Sequence, residues 1–272
     1  MTMNKDHLVF YSGGLSSYFT AKRVAKSYGV ENLKLLFTDT MIEDEDLYRF
    51  LEESAEDVGG ELIKIADGRT PFEVFKDVRL LGNSRLDPCS RILKREMATN
   101  WVKENYPDPD SVVLYIGMAW DEEHRFKRSQ GFWKPYKVQA PLLNPPYLCK
   151  DDMIQMCNEN GIKHPRLYDY GFAHNNCGGF CVKAGVSHFR LLLKAMPERY
   201  RYYEEQEEKI RKYLDKDVTI LRHQEDNQRK NITLKQLRER SEKQCELFDD
   251  WGGCGCFSTF DDDESVDETN GV

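Results

Sequence analysis

The chain is 272 residues long, enough for one sizeable core and one appended subdomain. Hydrophobic residues make up 40% of it, no apolar run reaches the length of a membrane span, and the N-terminal Met-Thr-Met-Asn-Lys-Asp lacks a signal-peptide core, so the sequence predicts a cytoplasmic protein without a membrane partner. A net charge of −8 argues against generic DNA coating and leaves a nucleic-acid acceptor open only through a local basic patch, to which overall charge does not point.

Leu8 to Tyr11 is a short apolar run that suits a buried strand. Ser12-Gly13-Gly14-Leu15-Ser16-Ser17 turns it, and Tyr18, Ala21, Val24, Ala25 and Tyr28 then recur at helical spacing up to Gly29. Backbone N–H groups and three hydroxyls thus sit at a helix N-terminus, which attracts anions, so the loop reads as a phosphate cradle. It is neither the Walker loop nor G-x-G-x-x-G. It resembles the SGG-x-[DS]-S signature of the PP-loop ATP pyrophosphatase superfamily, the adenine-nucleotide α-hydrolases. That family often has Asp where this chain has Ser16, so Mg2+ would fall partly to another carboxylate.

Leu33–Phe37 reads as a second strand ending in Thr38-Asp39-Thr40, followed by a helix through Leu47, Phe50, Leu51 and Ala55, and Glu61–Ile65 as a third strand. Strands alternating with helices predict an α/β, Rossmann-like parallel sheet with helices on both faces. Asp39 and Glu43 lie at a strand's carboxyl end, where ligands gather, and are candidates to hold Mg2+ or a substrate polar group. Pro71 opens a further helix, and Arg91, Lys94 and Arg95 in Asp87-Pro-Cys-Ser-Arg-Ile-Leu-Lys-Arg95 could meet phosphate or sulfate. Val112–Gly117 is a strand whose end leads to Arg125 and Arg128, and a helix is predicted over 150–160.

The eight cysteines read as metal, redox or core residues, with Cys149, Cys157 and Cys245 assigned as small buried hydrophobes. Cys177 and Cys181 form a C-x3-C pair among Asn and Gly, and Cys254 and Cys256 a C-x-C pair. The order of SGG loop, strand-end Asp-Thr, Cys-Ser-x-x-x-Lys, Gly-Met, Pro-Leu and Leu-Tyr-x-x-Gly-Phe before a cysteine pair resembles the phosphoadenosine phosphosulfate (PAPS) reductase family over about Leu8 to Gly185. The resemblance implies that Ser12 to Ser17 hold the nucleotide phosphates and that Phe37, Thr38, Asp39 and Thr40 lie near the adenosine, with Gly117 also on the nucleotide. Cys89 and Lys94 resemble the first Cys and the Lys of a Cys-Cys-x-x-x-Lys motif, and Cys177 and Cys181 the cysteine pair that helps ligate a 4Fe–4S cluster.

Ser90 replaces the second Cys of that doublet, the later pair is C-x3-C rather than C-x2-C, and Ala119 stands where arginine is usual. Cys254 or Cys256 could supply the fourth metal ligand, with zinc as the alternative to iron–sulfur, and either could instead stay free as a nucleophile or sulfur carrier; Cys254 is taken as the ligand and Cys256 as the nucleophile. Lys94, Arg125 and Arg128 would offset negative charge on phosphate or sulfate. Residues 1–185 form the expected nucleotide-binding domain, 186–250 a helical extension, and 251–272 the Cys-Gly-Cys segment with an acidic tail whose composition predicts disorder.

Three functions stay open. One acts on ATP or on PAPS or adenylyl sulfate, with a thiol reductant or sulfur donor. Another is an ATP pyrophosphatase that adenylylates an acceptor. The last is a non-catalytic nucleotide- or cluster-binding regulator. A homo-oligomer is expected.

Overall fold

The computed structural model describes residues 5–225 and 228–243. Five strands, β1 (Asp6–Phe10), β2 (Leu33–Asp39), β3 (Glu61–Ala66), β4 (Val112–Ile116) and β5 (Lys137–Gln139), make one parallel sheet in the order β3-β2-β1-β4-β5. The central strands are apolar on both sides because both faces are covered. Val9, Leu35 and Tyr115 pack with the helices α1 (Leu15–Tyr28), α2 (Glu45–Val58) and α7 (Lys150–Glu159) on one face. Leu8, Leu36 and Leu114 meet Ala98 and Val102 of α5 (Met97–Asn105) on the other, beside α6 (Glu123–Phe132). This is the α/β Rossmann-like architecture the alternating pattern predicts.

The chain moves outward from β1 through β2 to β3, then returns to lay β4 on the opposite side of β1. The carboxyl ends of β1 and β4 therefore flank the topological switch point, where open α/β sheets bind ligands. Helix α2 follows its apolar stripe Leu47, Phe50, Leu51, Ala55 and Val58, with Asp44 accepting from Asp46 N at 3.0 Å as its cap. Helix α3 (Pro71–Asp77) starts with a capping box in which Thr70 and Glu73 satisfy each other's backbone N–H. Cys157 is buried as expected, but Cys149 is exposed; it caps α7, its sulfur accepting from Asp152 N.

A third core gathers α3, α9 (Val186–Ala195), α10 (Pro197–Leu214) and α11 (Leu234–Lys243) around Phe180, Tyr200 and Tyr203. The three C-terminal helices lie within residues 186–250, where the sequence predicts a helical extension. Between α10 and α11 the chain also forms an antiparallel hairpin, β6 (Leu221–Glu225) and β7 (Gln228–Ile232), which the sequence pattern does not announce. Its reason is economical: among the residues whose burial is described, only Leu221 and Ile232, a directly opposed pair, are buried, and the intervening polar residues hide the strand period.

Glu207 ties this hairpin down. Its buried carboxylate accepts from Ile220 N at 3.0 Å and Leu234 N at 2.6 Å, one residue on each side of the hairpin. Burial outweighs those two bonds and pushes the carboxyl up from 4.5 to about 7. The folded state thus keeps a proton that the unfolded chain releases nearer pH 4.5, so this contribution to stability is complete below that pH and is lost as pH rises through about 7. The melting temperature of the wild-type chain, measured against Glu207→Gln, is expected to fall progressively over that window; parallel pH profiles would contradict the assignment.

Candidate active site

The β1–α1 loop lies at the switch point. Gly13 has φ 73°, and a Cβ there would stand 2.9 Å from Leu47 Cγ, so the turn requires glycine on both counts. Helix α1 begins at Leu15 with Gly14 as N-cap, no side-chain cap and no acidic residue in its first turn, whereas Asp44 caps α2 and Thr70 caps α3. Its first amides have no intrahelical acceptor. Leu15 N points to the Tyr168 hydroxyl at 3.4 Å, and Asn175 Nδ2 donates to Gly13 O at 2.8 Å. Ser17 is buried and its hydroxyl donates to Gly14 O at 2.8 Å while accepting from Ser12 Oγ at 3.3 Å. Ser17 therefore holds the loop's shape, and the part-exposed Ser12 and Ser16 carry the hydroxyls available to a ligand.

Gly117 ends β4 against this loop. A Cβ on it would lie 2.7 Å from Ser17 N and 2.8 Å from Ser16 C, a backbone collision that glycine alone avoids. Asn175 is 1% exposed, and its Oδ1 has no hydrogen-bond partner among the described residues. A buried amide oxygen left unpaired costs free energy, and a ligand hydroxyl or amine beside the cradle would recover it.

Lys94 connects the cradle to the cysteines. It lies in a π-helical turn, Arg91–Glu96, between the short helix α4 (Pro88–Ser90) and α5, and three consecutive residues of that turn are buried: Leu93, Lys94 and Arg95. Such turns recur at functional sites. Lys94 Nζ is 3.7 Å from Glu43 Oε1 and 3.5 Å from Cys177 Sγ. Glu43 also accepts from Thr40 Oγ1 at 2.8 Å and from Cys177 N. Burial drives the Glu43 carboxyl above its ordinary range, opposed first by the Lys94 ammonium. Lys94 lines two small hollows, one with Ser12 and Thr38 at the strand ends, the other with Cys89, Cys177 and Cys181.

The walls over the cradle are set by Asp44, which is fully buried. It accepts from Arg166 Nη2 at 2.9 Å and Arg199 Nη1 at 2.7 Å in addition to Asp46 N. Arg199 also donates to Glu43 O and Gly178 O. These bonds join α2, α8 (Arg166–Asp169), which carries Tyr168, the Cys177 turn and α10. His188 bonds Gly179 O at 2.8 Å; burial pushes its imidazole down to about 4, so it is the neutral N–H form that donates to this carbonyl.

The structure brings together Ser12 to Ser17, Gly117, Thr38 and Lys94, and gathers Cys89, Cys177 and Cys181 at one hollow. Phe37 is buried in the α1–α2 core, which leaves its backbone at the strand end. Asp39 is engaged by the Tyr48 hydroxyl at 2.9 Å and Met41 N at 2.8 Å. Glu43 is a buried partner of Lys94. Of the expected phosphate-binding cations, Arg91 pairs with Glu96 and Arg95 with Asp87. Arg125 is bound to Glu122, and neither it nor Arg128 lines the hollows that carry Lys94.

Cys245, Cys254 and Cys256 lie outside the described residues, as does the acidic tail. Among the described residues, no group of three or more His, Cys, Asp or Glu side chains is placed to hold a metal ion, and Cys89, Cys177 and Cys181 do not form such a group. Sequence reading misses Tyr168, Asn175, Asp44, Arg166 and Arg199 as site residues; the Leu-Tyr-x-x-Gly-Phe segment and Asn175-Asn176 are the signals that could have raised the first two.

No protein-family model matches the chain, and no curated protein matches it significantly. Among solved structures it is similar to phosphoadenylyl-sulfate (PAPS) reductase from Candida auris in its phosphate complex, at 18% identity over 61% of this chain and 78% of that one, with a TM-score of 0.42.

Two substitutions test this geometry. Lys94→Met leaves the Glu43 carboxylate buried without its cation and is expected to destabilise by about 3–5 kcal/mol in denaturant unfolding. Adding Glu43→Gln should restore a large part of the loss, and additive effects would sink the coupling. Gly117→Ala forces β4 away from Ser17 and is expected to destabilise the chain in the same unfolding assay while the helical signal persists without denaturant.

Proposed function

We propose that the chain is an adenine-nucleotide enzyme that holds its ligand's phosphates on the N-terminus of α1 and acts at the α-phosphate or at the sulfonyl end of a sulfonucleotide. The observation that carries this reading is the α1 N-terminus itself: without a cap from its own N-cap residue Gly14, at the β1/β4 switch point, with Leu15 N reaching only the Tyr168 hydroxyl and Asn175 holding Gly13 O beside an unpartnered buried amide oxygen. Amide donors and the positive end of the helix dipole favour an anion there. Adenine as the base rests on the SGG-x-x-S resemblance. Ser12 and Ser16 would bind phosphate oxygens, and Lys94, shared with the strand-end hollow, would offset negative charge in the transition state. No step is assigned to a metal, since the described residues do not form a ligand set.

A second reading, thiol chemistry, is favoured by the convergence of Cys89, Cys177 and Cys181 on one hollow with Lys94. In it the Cys177 thiolate, stabilised by the ammonium 3.5 Å away, attacks the sulfur of a sulfonucleotide. The sulfur–oxygen bond breaks, the nucleotide leaves with the electron pair, and an external thiol reduces the resulting S-sulfonate to release sulfite.

Calorimetry with ATP and adenylyl sulfate, followed by pyrophosphate and sulfite assays, tests both. Asn175→Ala is expected to weaken nucleotide binding about tenfold, the loss of one buried hydrogen bond. Pyrophosphate release supports adenylylation. Sulfite release abolished by Cys177→Ser supports thiol chemistry. Binding without turnover would make the chain a nucleotide-binding regulator, and failure to bind either nucleotide would sink the whole reading.

A further inference from the structure

An open cleft of about 1220 Å3 runs along α1 on the β5 flank of the sheet, outside the nucleotide cradle. Its walls come from α1, β5, α6 and the segment 139–148. Three aromatic residues stand on it more than half exposed: Tyr28 at 56%, Trp120 at 53% and Tyr147 at 57%. Single exposed rings are ordinary on a protein surface, but three lining one cleft mark a binding surface. Tyr28 is stacked on His7 with ring centroids 4.1 Å apart, and Trp120 and Tyr147 form an open pair at 6.1 Å.

The cleft's charge opposes that of the molecule. Among the described residues, Lys22, Arg23, Lys26 and Lys137 line it against the single carboxylate Glu123, in a chain of net charge −8. Lys22 is paired with Asp57 at 2.8 Å. Arg23 is fixed by the carbonyls of Pro141, Asn144 and Pro146, which orient the guanidinium and leave its charge uncancelled. Lys26 and Lys137 are exposed and have no ion-pair partner among the described residues.

The lining then selects the occupant. Trp120 sits three residues beyond Gly117, which closes on the cradle loop, Tyr147 adjoins Pro146, whose carbonyl holds Arg23, and Tyr28 ends α1. A ligand that meets all three rings and these cations must carry planar faces and repeat a negative charge. We propose that this cleft binds a segment of single-stranded nucleic acid, its bases on Trp120, Tyr147 and Tyr28 and its phosphates near Arg23, Lys26 and Lys137. This deepens the nucleotide reading and rests on it for one point only, that the Trp120 end delivers an acceptor to the cradle. An acidic peptide offers the charge without a planar group for each ring.

The test uses the full chain with fluorescein-labelled oligouridylate RNA and oligothymidylate DNA in fluorescence anisotropy at low salt. The wild type is expected to bind at least one of them, with the stronger arm telling RNA from DNA. Trp120→Ala with Tyr147→Ala should weaken binding about tenfold or more through lost stacking. Lys26→Glu with Lys137→Glu should weaken it comparably and lower the slope of log affinity against log salt by about 2. Wild-type affinity weaker than about 100 μM for both strands, or unchanged affinity in both double variants, overturns the proposal. So does equal displacement by polyglutamate, which would assign the cleft to an acidic peptide. ATP calorimetry on the same samples separates the two readings: ATP bound without nucleic acid sinks only the cleft, and nucleic acid bound without ATP sinks only the cradle.

Discussion

The buried carboxylate of Asp44 is the point on which the candidate site depends. It is fully withdrawn from water, so its charge is tolerable only because two guanidiniums and a backbone N–H meet it. Each guanidinium arrives from a different part of the chain: Arg166 from the short helix that carries Tyr168, Arg199 from the first turn of α10. The requirement to neutralise one carboxylate thus fixes the loop over the cradle and the turn bearing Cys177 relative to β2. Losing either arginine would leave a partly neutralised buried charge rather than a mere gap. The cost of that state explains why three separate segments converge here.

Most of the sheet was legible because its signals are local. Leu8 to Tyr11, Leu33 to Phe37 and Val112 to Ile116 are apolar on both faces, as strands covered on both sides must be, and glycine or capping residues bound the helices. The cradle and the coincidence of Cys89, Cys177 and Cys181 were legible from motif order. What stayed hidden was every relation between distant polar residues. Asp44 reads as a helix cap, Arg166 and Arg199 as surface charges, and Asn175 as loop filler, because a sequence does not show which charge a fold will bury. Arg91 and Arg95 run in the opposite sense. They look like anion binders, yet each meets a nearby carboxylate. The hairpin β6–β7 escaped for a related reason, since one opposed apolar pair is too little to print a period of two.

The crevice at Ser12 and Thr38 and the thiol hollow are separate places joined by a single side chain. Lys94 is buried beside a carboxylate that burial already pushes toward its neutral form. Its charge is therefore shared among Glu43, the Cys177 sulfur and whatever occupies the crevice at Ser12 and Thr38. Any anion entering that crevice competes with Glu43 for the same ammonium, which couples phosphate occupancy to the electrostatic surroundings of the thiol without moving the backbone.

The π-helical turn at Arg91–Glu96 works as a phase shifter. A continuous α-helix from Pro88 to Asn105 would lock the angular position of its first residues to that of its last, at 100° per step. The widened turn breaks that lock, so the helix can present Cys89 and Lys94 to the thiol hollow while Ala98 and Val102 still face the sheet. The two ends of one helix thereby answer to different masters, one to chemistry and one to packing. A deletion of a single residue within the turn would put them back in step and force one to be abandoned.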